Sequence, residues 1–201
     1  KIKGFNAMHP VDIRKYKQDL RLTCRSREES ISSERKTVLD EQIAQNIKRL
    51  NEYKPAKTIL IYVSTAIEVN TINIIDMALR DGKKVAVPRC IKDTREMEFH
   101  YINSVDELSP GTFSVLEPPS DFPVVTDFTG CLMIVPGMQF DMNGYRIGYG
   151  KGYYDRYMSK FTGVSVGICY SNELVPFMYH GKYDKSVNII VTDKKIKTCK
   201  R

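Results

Sequence analysis

The sequence of 201 residues contains no apolar stretch close to the roughly 20 residues that a membrane-spanning helix needs. Its first ten residues, KIKGFNAMHP, lack the apolar segment of a secretory signal peptide. Internal repeats and low-complexity segments are also missing. With the chain length, these absences predict a single domain over residues 1–201, located in the cytoplasm and without a membrane partner.

Cysteine and histidine are few and scattered. The five cysteines form no C-x-x-C pair, and Cys131 and Cys169 lie within apolar runs, where cysteine acts as a small hydrophobic residue. The three histidines are far apart and lack the spacing of metal ligands. This pattern argues against a disulfide framework and a zinc site, and it favours a reducing compartment.

Basic residues outnumber acidic ones by 31 to 24, which gives a formal net charge of +7. Such a charge suits anionic partners, namely nucleic acids, phosphates or polycarboxylates. Lysines that only solvate the surface explain the same charge. Aromatic residues interleaved with Lys and Arg on one strand face, as a platform for nucleic-acid bases requires, are not evident. We therefore expect no nucleic-acid partner.

Short β-branched runs alternate with stretches of helical periodicity along the chain. The runs predict buried strands at residues 58–63, 84–87, 131–135, 164–169 and 188–191, and an antiparallel strand at 97–102. Helices are predicted over residues 11–27, from 33 to about 53, over 71–79 with Thr71 as the cap, and from near Lys151. This alternation is typical of a three-layer, Rossmann-like α/β sandwich with a mostly parallel central sheet.

Two segments fall outside this alternation. Residues 104–130 are rich in proline, which predicts a loop-rich excursion over the sheet edge rather than a linker between domains. The basic residues from about 194 to 201 predict a frayed tail. Because ligands of such sheets bind beyond the carboxyl ends of the strands, the loops starting at Ser64 and Pro88 are expected at the functional edge.

The candidate chemistry is concentrated in residues 146–156, RIGYGKGYYDR. Alternate glycines surround Lys151, after a strand that ends in Pro136-Gly137 and before a predicted helix. Glycines let backbone N–H groups approach an oxyanion, while the helix N-terminus and the lysine add positive charge. The stretch therefore predicts a phosphate-binding loop, in which Asp155 could hold a divalent cation.

The glycine spacing has low specificity by itself. It matches neither the phosphate loop G-x-x-x-x-G-K-[ST] nor the dinucleotide fingerprint G-x-G-x-x-G, and a tight strand-to-helix turn needs similar glycines. Lys17 and Arg21 share one face of the basic helix over 11–27, but a solvated face explains them more simply. Taken alone, these residues leave both alternatives open.

The longer string VPGMQFDMNGYRIGYGKGYYDRYM resembles the signature of the 5-formyltetrahydrofolate cyclo-ligases, also called methenyltetrahydrofolate synthetases. Family patterns recur as K-x-x-L-R at residues 17–21, S-x-x-x-E-x-x-T at 64–71 and Val-Pro-Arg at 87–89. The resemblance covers roughly residues 15–192, which is nearly the whole chain.

What the resemblance implies is a ligase that forms a carbon–nitrogen bond. With ATP and Mg²⁺ it would close 5-formyltetrahydrofolate to 5,10-methenyltetrahydrofolate and release ADP and phosphate. Phosphorylation of the formyl oxygen would make it a good leaving group, and such a transfer needs positioning and charge neutralisation rather than a Ser/His/Asp arrangement. The expected partner is a small folate, with or without a polyglutamate tail, and we expect a monomer.

The resemblance also implies roles for individual residues. The expected catalytic residues are Lys151, Arg146 and Tyr153, and the expected magnesium ligands are Asp155 and Asp184. The expected ATP-binding residues are Lys17, Gln18, Asp19, Leu20, Arg21, Arg146, Ile147, Gly148, Tyr149, Gly150, Lys151, Gly152, Tyr153 and Tyr154. The expected folate-binding residues are Val63, Glu68, Tyr149, Gly150, Lys151, Gly152 and Tyr153, and Arg89 could meet the glutamate tail.

The chain departs from the family pattern at two places. Tyr149 stands where the family often has Arg, which removes or replaces one phosphate contact. Tyr183-Asp184 stands for a family His-Asp, and Asn188 follows where Asp is common, so the Asp184 assignment is the weakest. Two alternatives are a nucleotide-binding protein that has lost catalysis, which Tyr149 would suit, and a basic nucleic-acid-binding module.

Overall fold

The computed structural model describes residues 11–112 and 115–199. The α-helices of these residues are α1 (Ile13–Glu29), α2 (Ser33–Lys48), α3 (Ile72–Arg80) and α4 (Tyr153–Lys160). Their strands are β1 (Thr58–Ile61), β2 (Lys84–Cys90), β3 (Met97–Ile102), β4 (Ser109–Pro110), β5 (Leu116–Glu117), β6 (Cys131–Val135), β7 (Gln139–Asp141), β8 (Arg146–Ile147), β9 (Val164–Ile168), β10 (Leu174–Val175), β11 (Ile189–Val191) and β12 (Ile196–Thr198). The first ten residues and the last two of the expected tail lie outside this description.

Seven strands form the central sheet, in the order β12-β11-β9-β6-β1-β2-β3. The five inner strands are parallel, and the antiparallel strands β3 and β12 form the two edges. Strands β1 and β6 are buried along their whole length, as the continuous apolar runs predict for a parallel sheet covered on both faces. The predicted α/β class with a mostly parallel sheet is confirmed.

The alternating side chains of the strands supply two separate apolar layers. Ile59 and Ile61 of β1 belong to the core cluster that contains Ile43 of α2 and Ile75 of α3. Leu60, between them, belongs to a second cluster on the opposite face. That cluster includes the α4 residues Tyr154, Tyr157 and Met158, so the helical stripe predicted after the glycines does pack on the sheet. The sheet therefore lies between two layers, as the three-layer prediction required.

Several predicted boundaries are wrong for identifiable reasons. Strand β2 continues past residue 87 because its last four residues pair only with β3, and a strand with one free side tolerates Pro88. Helix α2 ends at Lys48 rather than near residue 53, and short turns follow it. Residues 196–198 form β12 on the sheet edge instead of a frayed tail, because the backbone of β11 offers them antiparallel hydrogen bonds.

Thr71 does not cap α3 with its side chain. Its hydroxyl donates to the carbonyl oxygen of Tyr62 over 2.7 Å and accepts from the Ser64 N–H over 2.9 Å. The Asn70 side chain accepts from the Ile72 N–H instead. Thr71 therefore fixes the loop after β1, which belongs to the edge where we expected the site.

Residues 104–130 contain β4 and β5, and the segment then returns along β3. The Tyr101 N–H donates to the Pro123 carbonyl, and the Val125 N–H donates to the Phe99 carbonyl. The outer side of β3 is therefore partly covered at these positions. Among residues 11–112 and 115–199, no helix is both long and apolar enough to cross a membrane.

Candidate active site

The glycine loop, residues 148–152, joins β8 to α4. Gly150 and Gly152 have φ angles of 86° and 78°, in the left-handed region that residues with side chains rarely adopt. A Cβ at Gly150 would also come within 3.1 Å of the Arg21 guanidinium group. The backbone shape of the loop and its contact with α1 therefore both require glycine. Helix α4 begins at Tyr153, two residues later than expected.

Helix α1 contacts the glycine loop through its basic side chains. The Arg21 Nε donates to the carbonyl oxygen of Gly148 over 2.7 Å, across 127 residues of sequence. Four residues earlier on α1, Lys17 forms an ion pair with Asp184. The structure thus places Arg21 against the loop and Lys17 against Asp184, although either could have been a solvated residue on sequence grounds alone.

The other residues of this α1 segment have different environments. Gln18 and Asp19 are exposed. Leu20 packs against a small apolar cluster that includes Cys24 of α1 and Ile147 of β8. This apolar contact fixes α1 against the strand that leads into the glycine loop.

The two expected magnesium ligands are connected through the backbone of Lys185. The Asp155 carboxylate accepts from the Arg146 guanidinium over 3.0 Å and from the Lys185 N–H over 3.1 Å. Asp184 immediately precedes Lys185, accepts from the Gly181 N–H and pairs with Lys17. In the described part of the chain, no cluster of three or more His, Cys, Asp or Glu side chains could hold a metal ion.

The three expected catalytic residues differ in accessibility. The Arg146 side chain is only 5% exposed and also donates to the Lys185 carbonyl over 3.0 Å and to the Met158 sulfur over 3.4 Å, so three protein groups already contact its guanidinium. Lys151 is exposed on the glycine loop. The Tyr153 hydroxyl donates to the Thr94 carbonyl over 3.3 Å, and its ring packs against the second core cluster. Lys151 is therefore the most accessible of the three.

The expected folate residues follow β1. Val63 is buried. The Glu68 carboxylate accepts from both the N–H and the hydroxyl of Thr65, over 2.8 and 2.9 Å. Tyr149 of the glycine loop is half exposed, but burial of its hydroxyl and the charge of Glu68 raise its pKa. The glycine loop and Glu68 therefore meet at one place, which the sequence motifs could not establish.

Glu28, in the last turn of α1, is a group that the sequence motifs missed. It lines a small cavity together with Glu68, Tyr62 and Tyr170. Burial, followed by the charges of Glu68 and Glu173, raises its pKa from 4.5 to about 8. A signal was present, because Glu28 follows Leu20 and Cys24 at helical spacing on the buried stripe of α1. An acid on such a stripe needs an explanation.

Two other expected site residues, Arg89 and Tyr154, make their main contacts with the protein itself. Arg89 donates to the Pro118 carbonyl over 2.6 Å and lies 3.8 Å from Glu117, so the excursion over residues 104–130 holds it. The Tyr154 hydroxyl is buried and has no hydrogen-bond partner among the described residues. Its ring packs against both core clusters, which makes Tyr154 part of the packing between α4 and the sheet.

Comparison with known proteins places this geometry in a family. The model of the 5-formyltetrahydrofolate cyclo-ligase family matches residues 13–193, which include α1, the Glu68 loop and the glycine loop. The chain belongs to the 5-formyltetrahydrofolate cyclo-ligase family. The family resemblance found in the sequence is thereby confirmed, and the protein is a ligase.

The similarity to individual cyclo-ligases extends over most of the chain. A probable 5-formyltetrahydrofolate cyclo-ligase of Schizosaccharomyces pombe is 30% identical over 178 residues, 79% of this chain and 87% of that protein. The Mus musculus 5-formyltetrahydrofolate cyclo-ligase is 29% identical over 196 residues, 92% of this chain and 97% of that protein.

Two solved 5,10-methenyltetrahydrofolate synthetases have the same fold. The Aquifex aeolicus structure superposes with a TM-score of 0.80 at 28% identity and covers 92% of this chain and 93% of its own. The Mycoplasma pneumoniae structure has a TM-score of 0.66 at 25% identity and covers 88% of this chain and 98% of its own. The cyclo-ligase therefore resembles its family in architecture as well as in sequence.

Proposed function

We propose that this cyclo-ligase uses ATP to convert 5-formyltetrahydrofolate to 5,10-methenyltetrahydrofolate, with release of ADP and phosphate. The observation that carries the proposal is the meeting of three elements. Arg21 of α1 contacts the glycine loop, and Tyr149 of that loop lies beside Glu68. A nucleotide phosphate at the loop and a folate at Glu68 would then be neighbours, as phosphoryl transfer between them requires.

The protein groups suit the two halves of the reaction. In the first half, the formyl oxygen of the folate attacks the γ-phosphorus, and the bond from that phosphorus to the β-phosphate bridging oxygen breaks. Arg21, the exposed Lys151 and the loop N–H groups would stabilise the phosphoryl charge. In the second half, the neighbouring folate nitrogen attacks the activated formyl carbon. Phosphate then leaves, and the proton of that nitrogen is released.

Magnesium fits this site as a companion of the nucleotide rather than as a resident ion. Mg²⁺ is commonly held by one or two carboxylates together with substrate phosphates and water. Asp155 and Asp184 are carboxylates beside the loop, but each pairs with a cation of the protein, Arg146 or Lys17. They would hold Mg²⁺ once phosphate oxygens attract those cations, and the ion would supply charge neutralisation at the phosphates.

The test is an absorbance assay for the methenyl product, with purified protein, 5-formyltetrahydrofolate and ATP, in the presence and absence of Mg²⁺. We expect product only with ATP, and a rate that depends on Mg²⁺. Failure of folded protein to form product with all three components would contradict the proposed reaction.

A second candidate is a nucleotide-binding protein that has lost catalysis. Tyr149 favours it, because its phenol lies beside Glu68, which we expect to hold the folate. Calorimetric titration with ATP distinguishes the two candidates. ATP binding without product formation would support the second candidate, whereas product formation rules it out. Location in the cytoplasm, the monomeric state and the lack of nucleic-acid binding stay predictions.

A further inference from the structure

Glu28 lies in this site, but the proposed reaction gives it no role. Only 9% of the residue is exposed, and its Oε2 atom is buried without a hydrogen-bond partner among the described residues. It contributes to the cavity of about 10 Å³ that it shares with Glu68, a volume near that of one water molecule. A buried polar atom without a partner is costly, so its retention needs a reason.

Charged and titratable groups face Glu28 from every element around it. These groups are Glu68 and Tyr62 after β1, Glu173 before β10, Lys36 of α2, Tyr149 of the glycine loop, Cys169 and Tyr170 after β9, and Cys24 and Glu29 of α1. Three of them, Glu68, Glu173 and Glu29, are carboxylates that disfavour a further negative charge. Together with burial, they keep Glu28 protonated at neutral pH, since its pKa is raised to about 8.

The two carboxyl groups of the cavity therefore differ in chemistry. Glu68 already accepts two hydrogen bonds from Thr65, so it acts as an acceptor. A protonated Glu28 can donate one hydrogen bond and accept others. A neutral donor beside an anionic acceptor matches a flat ligand edge that carries a carbonyl next to N–H and amino groups.

We propose that Glu28, as a neutral carboxyl group, donates a hydrogen bond to the ring carbonyl of the folate pterin while Glu68 accepts from its N–H and amino groups. This inference rests on the proposed function, because it assumes that a folate binds beside Glu68. The pterin edge presents a carbonyl, an N–H and an amino group in that order. The cavity is too small for the whole ring, so only the pterin edge would reach the two glutamates.

In this role Glu28 determines substrate specificity. It would hold the pterin ring and take no part in phosphoryl transfer. The test measures 5-formyltetrahydrofolate binding by calorimetry without ATP, and KM and kcat by the absorbance assay. The variants are Glu28→Gln, which keeps a neutral donor, and Glu28→Leu, which has none. Glu29→Gln is the matched control, because Glu29 is the next residue on α1 and is exposed. Circular dichroism and thermal melting check that each variant is folded.

For Glu28→Leu we expect about tenfold weaker folate binding at pH 7, a KM raised to match and a nearly unchanged KM for ATP. Glu28→Gln should bind within about threefold of the unaltered protein. Affinity of the unaltered protein should fall as the pH rises through about 8, since Glu28 then loses its proton. Glu28→Gln should lose that pH dependence, whereas Glu29→Gln should keep it.

The failure of this inference differs from the failure of the proposed function. Unaltered protein that neither binds the folate nor forms product contradicts both. If the unaltered protein forms product but folded Glu28→Leu binds the folate equally well, only the role of Glu28 is overturned. Retention of the same pH dependence by Glu28→Gln would also overturn it, because an amide does not titrate in this range.

Discussion

The cationic side of the candidate site, with Lys17, Arg21 and Lys151, contrasts with its acidic side, with Glu28, Glu68 and Glu173. The α1 cations are half buried and bound to protein groups, Lys17 to Asp184 and Arg21 to the Gly148 carbonyl. Such partners can be exchanged for phosphate at modest cost, because long basic side chains near the surface reorient easily. The cationic side therefore acts through charge.

The glutamates of the acidic side cannot exchange their protein partners for a ligand as the cations can. Glu173 is 1% exposed and is held by Arg27 over 3.3 Å and by Gln139 over 3.1 Å. The Oε2 atom of Glu28 has no hydrogen-bond partner in the part of the chain that the structure describes, and burial favours the protonated, neutral form of this carboxyl group by raising its pKa. The acidic side therefore acts through the direction of its hydrogen bonds. This difference predicts that variants on one side change nucleotide use and variants on the other change folate use.

The largest effect is expected from Lys151→Ala. Loss of an accessible positive charge at the transferring phosphoryl group should lower kcat by about 10²–10³-fold, with the fold intact. The measurement is the steady-state rate of methenyl formation. Lys160→Ala, at the exposed far end of α4, is the control and should keep normal kcat. An active Lys151→Ala protein would show that the cationic side does not depend on this residue.

Arg21→Ala should have the next largest effect. It removes the guanidinium beside the glycine loop and should weaken ATP binding by at least about tenfold, while calorimetric affinity for the folate stays within about twofold. Arg25→Ala, one turn later on the exposed part of α1, should change neither affinity. Equal losses for both ligands would break the proposed division between the two sides.

Glu28→Leu should change how stability depends on pH. Since the folded pKa of about 8 lies above the ordinary 4.5, the folded protein holds a proton that the unfolded chain releases. Stability should therefore fall as pH rises through that window, by up to about 1.4 kcal/mol per pH unit. Urea unfolding at about pH 5, 6, 7 and 8 should show this slope in the unaltered protein and in Glu29→Leu, but not in Glu28→Leu. An identical slope in Glu28→Leu would mean that Glu28 is ionised in the folded protein.

The smallest effect is expected from Gly150→Ala. The left-handed φ of 86° should cost about 1 kcal/mol of stability, and the new methyl group would meet Arg21. Chemical denaturation gives the stability, and calorimetry should show weaker ATP binding with unchanged folate binding. Gly148→Ala is the control, because a Cβ there meets nothing within 4 Å. Equal behaviour of the two variants would argue against a shape requirement at Gly150.

The strand pattern was predictable because it depends on local composition. Continuous apolar runs such as residues 131–135 can be buried only within a covered parallel sheet, and β6 has those bounds. The exceptions, Pro88 inside β2 and the strand at residues 196–198, depend on which neighbours each strand has. Local composition contains no information about those neighbours.

The site was predictable only in part. The glycine string and its family resemblance pointed to residues 146–156, and the family is confirmed. The partners of Arg146 and the burial of Glu28 were beyond prediction, because both arise from contacts between distant segments. Tyr149 illustrates the same limit: the sequence shows a departure from the family, and only the structure shows the phenol beside Glu68.

By itself, the sequence determined the α/β class, the family and the glycine-rich phosphate-binding candidate, since apolar periodicity and a dense local motif are properties of contiguous residues. The tertiary structure alone decided that α1 contacts the glycine loop and that Glu28 and Glu68 share a cavity. The physical reason is that pairing, burial and protonation depend on distances between side chains far apart in the chain. Those distances exist only after the sheet and helices have packed.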